Sequence, residues 1–277
     1  RCASVVAAVA LILLALARPQ WGFTWQESKQ RGLDIVVAID TSKSMLAEDI
    51  APNRLQRAKL AALDLMRQAK SDRLGLVAFA GSAFLQCPLT VDENAFRQSV
   101  DTLDVNIIPQ GGTALSEAIK TALEAYKEGD NFKILVLFTD GEDTDEGALE
   151  AAQAAAKQGM KIFTVGVGTP QGEILRTKDA KGRTEYIRDP EGNAVKSKLN
   201  ENLLREVAAA TEGGYLQLGG TRTMETLYAT GLAPLPKSEG QEKLVKQYFE
   251  RYHWPLAAAV LLLLAEILLP ESKREKR

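Results

Sequence analysis

The sequence predicts an α/β fold, a doubly wound, mostly parallel sheet with helices on both faces, flanked by an N-terminal and a C-terminal transmembrane helix. Three observations carry this expectation. Short apolar runs of strand length at 35–39, 74–80, 134–138 and 162–167 lack the alternation of a half-exposed strand, so each reads as buried on both faces. Segments with helical apolar spacing lie between them, the pattern of a parallel sheet with crossover helices. Two further apolar segments, 2–17 and 254–270, bracket the rest of the 277-residue chain.

Taken in order, segment 2–17 is apolar except for Ser4 and a little short of the ~20 residues a spanning helix needs. It reads as a retained membrane helix (1–18), with a signal peptide ending at Ala15-Leu16-Ala17 as the alternative. The chain starts at Arg1 without methionine, so missing upstream sequence is expected. Residues 19–31 read as a juxtamembrane linker. Strand 35–39 follows and ends in Asp40, Ser42 and Ser44. Helix 53–70 carries its stripe at Leu55, Ala58, Ala62, Leu65 and Met66, with Asn53 as N-cap. After strand 74–80, Gly81-Ser82 turns the chain into 83–89, expected to be antiparallel and at an edge. Helix 93–103 is followed by helix 113–127, striped at Leu115, Ala118, Ile119, Ala122, Leu123 and Tyr126. Strand 134–138 runs into Thr139-Asp140-Gly141. An alanine-rich helix at 146–158, strand 162–167, helix 200–210 and strand 215–218 complete the alternation. Segment 169–199 interrupts it with turn signals at 179–182 and 189–192 and reads as a β insertion, a surface loop being the alternative. Residues 220–253 read as a helix and linker leading to a second membrane helix, 254–270, and a basic tail, 271–277.

The tryptophans support the membrane expectation. Trp21, Trp25 and Trp254 all lie within a few residues of the two apolar segments, joined by Phe23, Tyr248, Phe249 and Tyr252, as in an interfacial belt. Lys273, Arg274, Lys276 and Arg277 place the tail in the cytoplasm and the central domain outside, although Arg18, Lys243, Lys246 and Arg251 argue the other way. A core helix is the alternative for 254–270. Glu266 within it either pairs with another membrane subunit or reaches the headgroups.

Composition excludes several functions. A net charge of −2 gives no reason to expect nucleic acid. Cys2 and Cys87 lie far apart, against a disulfide framework or a cysteine zinc site. The single histidine, His253, lies beside an apolar segment, so serine or cysteine chemistry in the central region lacks its base. What remains is oxygen. Asp40, Ser42 and Ser44 end one strand, Asp140 ends another, and Thr113 follows the Gly111-Gly112 pair. Singly, each has a bland explanation: a serine cap, an N-cap at Thr113, a turn at Asp140-Gly141. Together they converge on the carboxyl edge of a parallel sheet, where ligands bind. Such donors suit a hard divalent cation, Mg²⁺, Mn²⁺ or Ca²⁺, with an open position for a partner's Asp or Glu. A phosphoryl-transfer enzyme is less favoured, because Ser42 stands where a second aspartate is required and no GxxxxGK[ST] loop exists.

Asp40-Thr41-Ser42-Lys43-Ser44 resembles the DxSxS motif of the von Willebrand factor A (VWA) domain. Thr113 and Thr139-Asp140-Gly141 match the remaining metal-site elements of that family, in order. The resemblance covers about residues 32–219 and implies a Rossmann-like VWA fold with a metal-ion-dependent adhesion site (MIDAS). Carried over, Ser42, Ser44 and Thr113 would bind the metal directly, and Asp40 and Asp140 largely through water. A narrower similarity lies in Ala17-Arg18-Pro19-Gln20-Trp21, Ser44-Met45-Leu46-Ala47-Glu48-Asp49, Pro52-Asn53-Arg54-Leu55, Phe79-Ala80-Gly81 and Cys87-Pro88-Leu89-Thr90. These resemble the Bat (aerotolerance-operon) family in its BatB-like branch. That resemblance implies a bacterial membrane-anchored VWA protein with helices on both sides of the domain; together with the charge and motif readings above, the expectation is a non-enzymatic protein of the inner membrane with an extracytoplasmic domain. It would bind a protein partner through the metal, alongside other Bat-type membrane proteins and a MoxR-type AAA+ ATPase, in assembly or stress tolerance of the cell envelope. A scaffold whose metal only stabilises the domain is the alternative.

Overall fold

The computed structural model describes residues 2–28, 31–126, 132–144, 147–178, 184–188, 191–220, 222–236, 238–239 and 243–268. The chain forms two compact units, Gln30–Gly240 and the pair Arg1–Lys29 with Gln241–Arg277.

The larger unit is built on a six-stranded sheet. Its strands are β1 (Asp34–Asp40), β2 (Arg73–Phe79), β3 (Ala83–Thr90), β4 (Lys133–Thr139), β5 (Met160–Gly166) and β6 (Tyr215–Gln217). The spatial order is β6-β5-β4-β1-β2-β3. All neighbours are parallel except β2 and β3, so the sheet is mixed, with the antiparallel strand at one edge. β1 lies at the centre, and every residue from Asp34 to Asp40 is buried. Its alternate side chains feed two cores: Ile35, Val37 and Ile39 join one, Val36 and Ala38 the other. Each fully buried valine or isoleucine contributes about 1.5–3 kcal/mol of apolar burial, which is why both faces of this strand read as apolar.

The helices are α1 (Arg54–Gln68), α2 (Glu93–Asp101), α3 (Leu115–Glu124), α4 (Ala148–Lys157) and α5 (Glu201–Ala210). Leu55, Ala58, Ala62, Leu65 and Met66 of α1 and Phe96 and Val100 of α2 cover the first core; Leu115, Ala118, Ile119, Ala152, Ala155 and Val207 of α3, α4 and α5 cover the second. Asn53 caps α1, its Oδ1 accepting from Gln56 N at 2.8 Å. Segment 169–199 holds two small antiparallel pairs, Glu173–Ile174 with Lys196–Ser197 and Arg176–Lys178 with Thr184–Tyr186. Most of the turn residues expected at 179–182 and 189–192, and the whole tail 271–277, lie outside the described residues. Beyond β6, a short helix, Thr223–Thr226, runs into a π-helical turn, Leu227–Leu232.

The smaller unit pairs strand Gln20–Ser28 with Lys243–Glu250 in an antiparallel ribbon and packs helix Cys2–Leu16 against helix His253–Leu268. Here the expectation of two transmembrane helices is corrected. No helix among the described residues is long and apolar enough to cross a membrane. At 15 and 16 residues the two helices are about 22–24 Å long, against a hydrocarbon core of about 30 Å. Membrane anchoring and the inner-membrane location with an extracytoplasmic domain rested on those spans and are overturned with them; the association with Bat-type membrane proteins and a MoxR-type ATPase, implied by the family resemblance, has no membrane helix among the described residues to anchor it. Residues 20–28 are a strand: Trp21, Phe23 and Trp25 recur every second residue, a strand period expected above to be an interfacial belt. Glu266 has an internal partner, since the Ser4 hydroxyl on the neighbouring helix donates to its Oε2.

At the amino edge of the sheet, the buried Tyr126 hydroxyl accepts from Val36 N at 3.2 Å and donates to Ile134 O, tying α3's trailing end to β1 and β4. Tyr126→Phe removes both of these bonds and is expected to lower the unfolding free energy by about 1–3 kcal/mol. Urea unfolding should show an earlier midpoint at unchanged slope; an unmoved midpoint would remove this role.

Candidate functional site

The parallel strands end together, and the site is assembled there. β1 delivers Asp40, the following turn (Lys43–Leu46) delivers Ser42 and Ser44, and Asp140 directly follows β4. Thr113 comes from the loop before α3. That loop is seated on the end of β2, with Ala114 N donating to Ala80 O at 2.7 Å. The seating requires glycine at 81, where a Cβ would fall 2.3 Å from Gly111 O. On its other side, Thr113 N donates to Thr144 Oγ1 at 2.7 Å and Thr144 N returns to Thr113 O at 2.9 Å. Thr113 is therefore not an N-cap; the residue at that position is Ala114, with no side-chain cap bond. Ser42 likewise makes no cap bond from its side chain.

The structure brings Asp40, Ser42 and Ser44 into one cluster. Ser42 and Ser44 hydroxyls lie 2.9 Å apart. Asp40 Oδ1 accepts from Ser42 N at 2.8 Å, and its Oδ2 from Thr139 Oγ1 at 2.7 Å. Asp140 Oδ1 accepts from Glu142 N at 3.2 Å. Thr113 lies on the same edge but makes no hydrogen bond to the other four among the described residues. Both aspartates are fully buried. Burial, and next the charge of Asp140, push Asp40 up to about 7 against the hydrogen bonds from Ser42 and Thr139.

A cation that the sequence reading missed stands beside this cluster. Arg54, at the first position of α1, is fully buried. Its Nη1 donates to Asp140 Oδ2 at 2.8 Å and to Ser197 Oγ at 2.6 Å. Its Nε and Nη2 form a bidentate pair with Asp49, both at 2.8 Å. Asp49 Oδ2 also accepts from Thr169 N and Thr169 Oγ1, each at 2.9 Å. Burial works to raise Asp49, but Arg54 and Thr169 outweigh it and hold that carboxyl below its usual range. One sequence signal pointed to Arg54: a positive charge opening a helix opposes the helix dipole and needs anionic partners.

This arrangement corrects the metal expectation. No group of three or more His, Cys, Asp or Glu among the described residues is placed to hold a metal ion. The five candidate residues include two carboxylates, and each of their four oxygens already accepts a hydrogen bond from the protein. Asp140 faces a fixed guanidinium, whose charge repels a second cation. The residues do not fit a Mg²⁺, Mn²⁺ or Ca²⁺ centre, and the partner Asp or Glu that would have completed it loses its anchoring ion.

An Asp40→Asn variant isolates the buried charge. An aspartate whose folded pKa is raised from 3.8 to about 7 stabilises the fold fully below the lower value and loses that contribution as pH climbs through the higher. Asp40→Asn should therefore raise Tm at pH 8 by roughly 3 °C or more while changing it little at pH 4. Parallel melting curves at both pH values would contradict the assignment.

Comparison with known proteins follows the same lines. The family model described as von Willebrand factor type A domain matches residues 35–142. A UPF0353 protein of Mycolicibacterium paratuberculosis is 32% identical over 265 residues, covering 83% of this chain and 78% of that protein. The conserved hypothetical protein BatB from Bacteroides thetaiotaomicron superposes with a TM-score of 0.68 at 33% identity, over 72% of this chain and 96% of that one. An aerotolerance-related membrane protein from Bacteroides fragilis gives a TM-score of 0.68 at 30% identity, over 72% and 98%. The mixed sheet, the oxygen-bearing edge and these relatives agree: the chain belongs to the von Willebrand factor type A domain proteins, close to the BatB-like branch of the Bat family.

Proposed function

We propose that this chain is a non-catalytic recognition module, and that the carboxyl edge of its sheet is the surface that contacts a polypeptide partner. One observation carries the reading. At that edge the carboxylates of Asp40 and Asp140 are fully buried and satisfied, while Ser42, Ser44 and Thr113, only 4–7% exposed, come from two separate loops to the same edge, with exposed Lys43 between the two serines. A hydroxyl both donates and accepts, so such a rim can pair with the amide and carbonyl groups of a docking chain. The same geometry supports a binding role over catalysis. Ser42 and Ser44 hydroxyls bond to each other, and the neighbouring carboxylate of Asp40 is already held by Ser42 N and Thr139 Oγ1. Cys87 is buried within β3.

The test uses a photo-crosslinking residue in place of exposed Lys43 on the rim and, as control, in place of exposed Lys157 at the opposite end of α4. Crosslinking in the native host should give a defined protein adduct from position 43 and not from 157. The combination Ser42→Ala, Ser44→Ala and Thr113→Ala should reduce that adduct at least about fivefold, roughly 1 kcal/mol of binding. A chelator should leave it unchanged. The same adduct from both positions, or one indifferent to the hydroxyls, overturns the rim as the contact surface; loss on chelation overturns the metal-free site.

A further inference from the structure

The insertion 169–199 leaves the end of β5 and returns at α5, and both of its ends meet on Arg54. At the leading end, Gly168 lies against the guanidinium, where a Cβ would sit 2.9 Å from Arg54 Cζ. Thr169 binds Asp49, which is itself clasped by Arg54. At the trailing end, Ser197 Oγ lies 2.6 Å from Arg54 Nη1 and donates to Asp140 Oδ2 at 3.1 Å. Ser197 O accepts from Nη2 at 3.4 Å, Lys198 N donates to Glu142 Oε1 at 3.2 Å, and Asn200 N to Asp140 O at 2.8 Å. The two ends also bond each other, Leu199 N to Thr169 O at 3.1 Å. Within the insertion, a chain of bonds links Leu175 N to Val195 O at 2.9 Å, Val195 N to Ile187 O at 2.9 Å and Ile187 N to Leu175 O at 3.0 Å.

We infer that Arg54 is a positioning residue that joins the insertion to the rim, so that the place of Asp140 and the order of the insertion form one coupled equilibrium. The physical ground is that one buried guanidinium, with a fixed fork of donors, serves Asp49, Asp140 and Ser197 at once. A shift of the insertion base withdraws Ser197 from Asp140, and a shift of Asp140 frees both the guanidinium and Ser197. Coupling between two such elements is reciprocal. The inference adds the insertion to the recognition surface proposed above, but it holds or fails in the free chain without any partner.

Amide hydrogen exchange on the full chain tests it from both sides. Ser197→Ala, altered on the insertion, should speed exchange at the rim amide of Glu142 by at least about fivefold. Asp140→Asn, altered on the rim, should speed exchange at Leu175, Ile187 and Val195 by a similar factor. The amide of Val36, held by Tyr126 at the far edge, should stay unchanged in both. An effect confined to the mutated side, or a uniform rise that includes Val36, overturns the coupling. If Asp140→Asn does not fold, Thr169→Val supplies the second arm, with the Glu142 amide again the readout; no acceleration there also overturns it. Arg54→Lys keeps the charge without the fork and should reproduce the Ser197→Ala pattern; protection equal to wild type at Glu142 and the insertion shows that charge alone suffices and overturns the positioning role.

Discussion

A guanidinium with no exposure to solvent sits where α1 begins, between Asp49 and Asp140. Removing such a charge from water is expensive, and a helix start is an unfavourable place for a cation. The position is tenable because both carboxylates are within 2.8 Å and Ser197 takes a remaining donor. Removing either carboxylate leaves a buried charge short of a partner, a loss of about 3–5 kcal/mol in comparable pairs. Loop 46–53, the end of β4 and the base of the insertion are all positioned against this one group.

That constraint divides the oxygens of the edge into two sets. Asp40 and Asp140 belong to the interior: their oxygens are committed to backbone amides, Thr139, Arg54 and Ser197. They do not share the neutralisation equally. Arg54 contacts Asp140 directly, whereas Asp40 has hydrogen bonds and, among the described residues, no cation partner, and burial raises it to about 7. The hydroxyls form the other set. Ser42, Ser44 and Thr113 are buried as well, but they carry no charge, so their desolvation costs little, and on the reading proposed above they are the groups that meet another molecule.

Much of the fold was legible because it obeys local rules. Continuous apolar runs marked β1, β2, β4 and β5, Asn53 marked the start of α1, and Gly81-Ser82 marked the reversal into the antiparallel edge strand. The five candidate residues were found at one edge because parallel strands must end together. What escaped depended on distant partners. The ribbon of Gln20–Ser28 with Lys243–Glu250 joins segments more than two hundred residues apart, and its alternating aromatics also fit an interfacial belt. The helices Cys2–Leu16 and His253–Leu268 have the composition of membrane spans and lack the length. The state of the site escaped for a similar reason. Thr113, Asp40 and Asp140 were recognisable by spacing, but the residue that occupies Asp140 lies on a different element, and the Pro52-Asn53-Arg54-Leu55 similarity gave Arg54 no role at the site.

The general point is about what a motif encodes. A spacing such as Asp-x-Ser-x-Ser specifies which oxygens reach an edge, because a strand and a turn place them there. It does not specify what those oxygens bind, since that depends on the charge supplied by the rest of the fold. Here the charge comes from Arg54, tethered through Asp49 to Thr169 and through Ser197 to the insertion. An external cation could be exchanged or removed; a guanidinium on α1 cannot leave. An edge held by such a group is preorganised, with its carboxylates fixed before any partner arrives, and the ordering entropy that a loosely held site would lose on binding has already been spent in folding. The same tether means that the loops at this edge do not move independently. On the reading proposed above, recognition at the hydroxyl rim and the conformation of the insertion are two aspects of one packed, hydrogen-bonded unit.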